Sequence, residues 1–260
     1  MAALYAKRPH AKLDSSLTSA APKILVTRSL GKYLKKIATV EGWFWEPSIR
    51  NLIALDYFQD LYNITGDIGE IGVYYGKSAI LLAHLVRPEK GERLLLNDTF
   101  PEPNQPEIFL KNWQRFAPRN IKPLIIERDS RTLTKRDTGT NCRIFHVDGN
   151  HDLKTTIHDL ETALKAIRPD GVVAVDDVFS INVPEVSRGF FVFMTKYYRQ
   201  LAPFLLDIRK VYLAPRRVLP LYYQMMERDD VRSFLGSWRK PNQYSIHQEN
   251  FWGTRVFIVR

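Results

Sequence analysis

Two short stretches carry the strongest chemical signal in this 260-residue chain: "HVDGNH" at 146–151 and "VVAVDDV" at 172–178. Each contains or extends an apolar run that reads as a strand. Asp148 therefore falls at the end of one strand, and Asp176 and Asp177 at the end of its neighbour. Three carboxylates gathered there repel and raise one another's pKa unless a cation joins them. An oxygen-seeking divalent ion, Mg²⁺ first, would stabilise all three as anions. His151 lies three residues past Asp148 on a turn into a helix, where it would serve as general base for a substrate held at the acids. The plainer alternative is that one aspartate caps a helix, the others are solvated loop ends, and His151 is a capping or solvated side chain. By strand alternation His146 faces the other way and reads as a packing residue.

A second constellation begins at "GEIGVYYGKS", residues 69–78. Its Gly-Lys-Ser ending imitates a P-loop, but Gly72 and Gly76 enclose only Val73, Tyr74 and Tyr75, one residue short of a phosphate wrap. ATP is thereby disfavoured. With Asp67–Val73 as a strand, Glu70, Gly72 and Gly76 lie at its carboxyl end, in the turn to a helix opened by Lys77 and Ser78. Glycines there admit a ligand to the backbone, or merely shape the turn. The next strand, "RLLLND", ends in Asp98, 22 residues beyond Gly76 and near the spacing at which an acid meets a ribose hydroxyl. Glu70 would repel a pyrophosphate, so the fitting ligand is a nucleoside with a cationic amino-acid end. In "ERDS", Asp129 and Ser130 would meet an adenine edge or form an ordinary turn.

The elements needed to position these residues are legible as alternating short apolar runs and helical stretches from 67 to about 200. Such a pattern predicts an α/β fold, a doubly wound, mainly parallel, seven-stranded Rossmann-like sheet with ligands at the carboxyl ends of its strands. "GWFWEPSIRNLIALDYFQDLYNITG", 42–66, places Leu52, Leu55, Phe58 and Leu61 at helical spacing, a helical extension packed on the core. "PFLLDIRKVYLA" and the terminal "WGTRVFIVR" read as the last two strands, with a basic, aromatic insertion near 215–250 between them. Residues 41–260 form one domain behind a basic tail, 1–40, whose first 20 or so residues have no hydrophobic period and share the composition of a transit peptide.

The net charge of +10 is unevenly placed. Residues 1–40 carry eight Lys/Arg against Asp14 alone, and 186–260 carry thirteen against five acids, which leaves 41–185 net negative. Basic flanks therefore surround an acidic catalytic middle. Nothing in the sequence has the length of a membrane span or the core of a secretory signal, so the expectation is a soluble, cytoplasmic protein. Cys142 is alone and opens an apolar run, which suits a structural thiol.

At "GDIGEIGVYYGKS", "LLLND", "ERDS" and, most specifically, "HVDGNHDLKTTIHDLETALKAIRPDGVVAVDDV", the chain resembles class I S-adenosylmethionine-dependent methyltransferases. Within them it is most similar to the metal-dependent O-methyltransferases of the macrocin and cephalosporin-hydroxylase-like group, from about Gly42 to Asp177. The resemblance implies that Glu70, Gly72 and Ser78 hold the methionine end of S-adenosylmethionine, and that Asp148, Asp176 and Asp177 ligate Mg²⁺. It also implies that His151 deprotonates an acceptor hydroxyl on a small molecule such as a sugar or natural-product scaffold. Asn97 before Asp98 departs from the pattern at the ribose. Arg216 and Arg217, in the basic insertion, would recognise an anionic part of the acceptor, or lie on a solvated face or a homodimer contact. Two rivals stand beside this reading: a nucleic-acid methyltransferase that uses the basic flanks and stacks a base on Tyr222-Tyr223, and a noncatalytic protein that retains the fold.

Overall fold

Short apolar runs bounded by turn residues become strands when helices can cover both of their faces, and five such runs make the parallel core of this protein. They are β1 (Asp67–Ile71), β2 (Leu94–Asp98), β3 (Leu124–Glu127), β4 (Cys142–Val147) and β5 (Ile167–Val175). β1 and β4 are buried at every position, and β2 at all but Asp98. The computed structural model describes residues 26–237 and 245–260.

Four further strands extend the sheet: β6 (Leu201–Leu206), β7 (Val211–Pro215), β8 (Ile246–Phe251) and β9 (Thr254–Val259). The strand order is β3-β2-β1-β4-β5-β7-β6-β9-β8, with β7 antiparallel to β5 and β6. The order reverses between β1 and β4, so a crevice opens at the carboxyl ends of those two strands. One face is covered by α2 (Glu46–Leu61), α3 (Lys77–Leu85), α8 (Leu219–Glu227) and α9 (Asp229–Gly236), through a core that includes Leu52, Phe58, Leu96 and Tyr222. The other is covered by α6 (Leu153–Ala166) and α7 (Pro184–Tyr197), through Phe145, Leu160, Val173 and Phe190. α4 (Gln105–Phe116) and the four-residue α5 (Lys135–Thr138) complete the connections on either side of β3.

Nine strands replace the expected seven, for an identifiable reason. "PFLLDIRKVYLA" is not one strand: it is the β6–β7 hairpin, broken at Asp207–Lys210. Asp207 Oδ1 accepts the backbone N–H of Arg209 (3.0 Å) and Lys210 (2.9 Å), an Asx-type turn hidden inside an apolar run. The terminal run is then β9, which pairs parallel to β6 and antiparallel to β8 as an added edge. β5 also starts earlier than its apolar core, at Ile167, with a register shift opposite Cys142–Ile144. Residues 1–25, most of the expected basic tail, lie outside the described residues. From Arg28 the chain is helical, as α1 (Arg28–Leu34), with Leu30 and Tyr33 buried. No helix among the described residues is long and apolar enough to cross a membrane.

Candidate active site

The site begins with a close approach between two strand ends. Gly72, just past β1, has φ +88°, and a Cβ there would stand 1.7 Å from the Asp148 carbonyl oxygen. Only glycine lets the β1 turn lie against the end of β4. Gly76 is likewise required by the protein, since a Cβ would meet the Phe109 ring at 2.8 Å, and it does not line the cavity. Gly76 thus shapes the turn, while Gly72 both shapes it and lines the cavity.

Above that turn lies a cavity of about 930 Å³. On one side it is lined by Ser78 and Lys77 at the start of α3, and by Asp98, Asp129 and Ser130. α3 has no side-chain cap at its N-terminus, so its first N–H groups are available to an anionic group such as a carboxylate. Asp98 accepts from the N–H of Val73 (2.7 Å), Tyr74 (2.8 Å) and Phe100 (2.7 Å) and so fixes the turn. A carboxylate has about four acceptor positions, so one remains for a ligand hydroxyl. Asn97 lines the cavity beside Asp98. Its Nδ2 donates to the carbonyls of Ile126 (2.8 Å) and Arg128 (2.7 Å), tying β2 to the end of β3. Asp129 is held by Arg131 Nη2 at 2.5 Å, which with the Arg131 backbone N–H keeps its carboxyl down at about 2.

Glu70 is not on the cavity wall. It is buried beneath it, where Oε1 accepts from His146 Nδ1 at 2.7 Å. His146 is therefore more than a packing residue, and a direct contact of Glu70 with a methionine end is not what the structure presents.

The opposite wall carries Asp148, His151 and Asp177. His151 Nε2 lies 3.7 Å from Asp148 Oδ1 and 3.7 Å from Asp177 Oδ2. The Asp148 carboxylate raises the imidazole pKa above its ordinary value, against the opposing effect of desolvation. Burial would lift Asp148 itself, but His151 and then the charge of Lys210 hold it at about 2. The backbone separates the two consecutive aspartates. Asp177 takes φ +57°, and its N–H donates to Asp176 Oδ1 at 2.8 Å, so the side chains diverge. Asp177 reaches His151, while Asp176 contacts Lys210, a wholly buried ammonium paired with Asp176 Oδ2. Burial opposes the charge on Lys210, yet Asp176 and Asp148 raise its pKa and keep it protonated. Arg209 Nη1 bonds Asp177 Oδ1 at 3.1 Å and Ser180 Oγ at 2.9 Å.

The three-aspartate set expected for Mg²⁺ does not fit as a set. Asp176 has both oxygens engaged within the protein, and Asp177 shares one of its own with a guanidinium. Lys210 and Arg209 are the residues that sequence reading missed. Their one signal was a pair of cations in the middle of an apolar run, bracketed by Asp207. A second omission is the strap Gly42–Trp45, which lines the cavity and lays Phe44 over Lys210 Nζ (5.2 Å) and Trp45 over the Arg209 guanidinium (5.1 Å).

Two other expectations are corrected. Arg216 donates to the carbonyls of Tyr198 (2.7 Å) and Trp252 (2.9 Å), and Arg217 reaches Pro169 O at the beginning of β5. Both are at the end of the sheet opposite the cavity, because β7 runs antiparallel and carries the chain away from it. Tyr222 is buried under Phe204 and Phe58, so it offers no face to a base.

Residues 70–178 match the family model described as a methyltransferase domain. That match covers less than half of the chain. The matched span runs from Glu70 to Val178 and contains the cavity-lining residues except the strap, Ser180, Asn182, Val183 and Arg209. Solved structures agree on the fold. The O-methyltransferase NovP is similar at a TM-score of 0.57 and 15% identity, over 65% of this chain and 79% of that one. CalS11, described as a TDP-rhamnose 3'-O-methyltransferase of calicheamicin biosynthesis, gives 0.51 and 17% over 71% and 86%. An O-methyltransferase from Bacillus cereus in complex with SAH gives 0.51 and 18% over 76% and 92%. No curated protein matches. The likeness to these structures is one of fold.

Proposed function

We propose that this protein transfers a methyl group from S-adenosylmethionine to a hydroxyl of a small molecule. The observation that carries the reading is one cavity with two unlike walls: helix N–H groups, Asp98 and Ser130 on one side, and the Asp148–His151–Asp177 group on the other. The first wall fits the donor. The uncapped start of α3 at Lys77-Ser78 suits its carboxylate, the remaining acceptor position of Asp98 suits a ribose hydroxyl, and Ser130 with Asp129 borders the adenine end. When bound, S-adenosylmethionine supplies an activated sulfonium methyl.

The second wall would handle the proton. His151 takes it from the acceptor hydroxyl at Nε2, and Asp148 and Asp177 hold the ring and stabilise the imidazolium that results. The strap and the loop after β5 enclose the acceptor, exclude water and align its oxygen with the donor, which is where most of the rate enhancement arises. The likeness to the O-methyltransferases NovP and CalS11 supports a hydroxyl acceptor, and a cavity of about 930 Å³ supports one of sugar or natural-product size. Calorimetry tests the donor: S-adenosylhomocysteine should bind, and Asp98→Ala should weaken it. Tight ATP binding with no response to either S-adenosyl ligand would sink the reading. Mass spectrometry of a methyl-acceptor screen would then name the product.

A further inference from the structure

We infer that Lys210 and Arg209 supply the positive charge that a divalent cation supplies where three such aspartates meet, so that the site works without a bound metal. The inference rests on the methyltransferase reading of the same cavity and adds to it the means by which its acids are balanced.

The acids form two overlapping triads that share Asp148. The inner is His146, Asp148 and Asp176, and the outer is Asp148, His151 and Asp177, with ligand atoms in each within 4.8 Å of one another. Each would have the donor set for a divalent ion, and each already contains a cation. Lys210 Nζ bonds Asp176 in the inner triad, and Arg209 Nη1 lies 3.1 Å from Asp177 in the outer. Two cations therefore already stand among the carboxylates of the two triads. A divalent ion added to this set would have to stand beside two fixed like charges in a partly desolvated place.

The cations are held by construction. Asp207 Oδ1 bonds the backbone of Arg209 and Lys210, while its Oδ2 accepts from Ser48 Oγ, Asn51 Nδ2 and Tyr212 Oη, each at 3.0 Å. The tip of the β6–β7 hairpin is thereby fastened to α2. Lys210 is 1% exposed and sealed by Phe44, so displacing it from Asp176 would leave a buried ammonium without a partner, which costs more than the pair contributes. The two residues act differently. Lys210 does not reach the cavity: it positions Asp176, which in turn accepts the Asp177 N–H. Arg209 borders the cavity and orients Asp177 toward His151.

The test uses the full chain, stripped with chelator, and Mn²⁺ as probe, because carboxylate and imidazole ligands suit it and its free ion is read directly by electron paramagnetic resonance. The wild-type protein should take up no stoichiometric Mn²⁺ at micromolar concentration, and its thermal midpoint should not move. Lys210→Met leaves Asp176 uncompensated; its midpoint should fall, and its Mn²⁺ affinity should rise roughly tenfold or more, with the midpoint partly restored by the ion. A merely structural lysine would give the first loss without the gain. Should Lys210→Met fail to fold, Arg209→Gln, altered at a part-exposed side chain, should show the same gain at the outer triad. One Mn²⁺ per wild-type chain at micromolar concentration overturns the inference, as does a folded variant with no gain. S-adenosylhomocysteine calorimetry on the same samples keeps the two readings apart, since loss of that binding would strike the donor assignment and leave the metal result standing.

Discussion

His151 stands equally far from a carboxylate oxygen of Asp148 and of Asp177, and this placement fixes the sign of its pH behaviour. A base must be neutral to accept a proton. Because Asp148 raises the imidazole pKa, the acid limb of the rate profile should lie above the ordinary histidine value, with turnover rising as pH passes through it. His151→Ala should remove that limb and lower turnover by about 10²–10⁴ while S-adenosylhomocysteine affinity is kept; normal turnover of the variant at neutral pH would send the proton elsewhere. Asp159 offers a second titration, unrelated to turnover. Burial pushes its carboxyl up to about 7, so the folded state holds this proton more tightly than the unfolded chain does. The resulting stability is complete below the unfolded carboxyl value and is lost as pH rises through 7. Asp159→Asn should therefore gain about 1–4 kcal/mol on wild type between pH 4 and pH 8, seen as a widening gap in denaturant midpoints; parallel curves would refute it. At this scale Asp148, His151 and Asp177 were legible, because strand-end position alone brings them together. Asp176 was not: its direction depends on a positive φ at Asp177 and on a lysine thirty-odd residues away.

At the scale of elements, the lysine that imitates a P-loop has a different task. Lys77 Nζ donates to Gly42 O at 2.7 Å, and the Lys77 carbonyl accepts from Tyr33 Oη at 2.5 Å. The start of α3 is thus the clasp that joins α1 and the strap Gly42–Trp45 to the cavity. Lys77→Met should free the strap, visible as faster amide exchange confined to 41–45 and weaker S-adenosylhomocysteine binding. Unchanged exchange there would mean that the aromatic contacts hold the strap alone. The parallel strands were readable from their apolar runs, and α2 from Leu52, Leu55 and Phe58, all fully buried. The β6–β7 hairpin was hidden, since its turn is made by one aspartate bonding two backbone N–H groups and not by a glycine or proline.

At the scale of the whole molecule, Arg216, Arg217 and Arg255 lie away from the cavity. Arg216 and Arg217 serve carbonyls beyond the amino end of β5, and Arg255 pairs with Glu227 on the outer edge. Arg216→Gln with Arg217→Gln should accordingly leave S-adenosylhomocysteine affinity, its salt dependence and acceptor KM unchanged; a raised acceptor KM would restore these arginines to substrate recognition. Net charge by segment, read from sequence, could divide the chain but could not say which way a segment faces. The reversal came from topology: an antiparallel β7 carries Arg216 and Arg217 away from the carboxyl ends that border the cavity.

The strap also makes the mouth of the cavity visible to light. Trp43 is 76% exposed and tilts against Tyr74 at 5.8 Å, while Trp45 lies under the Arg209 guanidinium. An indole in water emits further to the red than one covered by a ligand, and a neighbouring charge shifts its emission. Closure of the strap over a donor or an acceptor would therefore move the intrinsic fluorescence of the unlabelled protein to the blue, and replacing Trp43 and Trp45 one at a time would say which indole reports it.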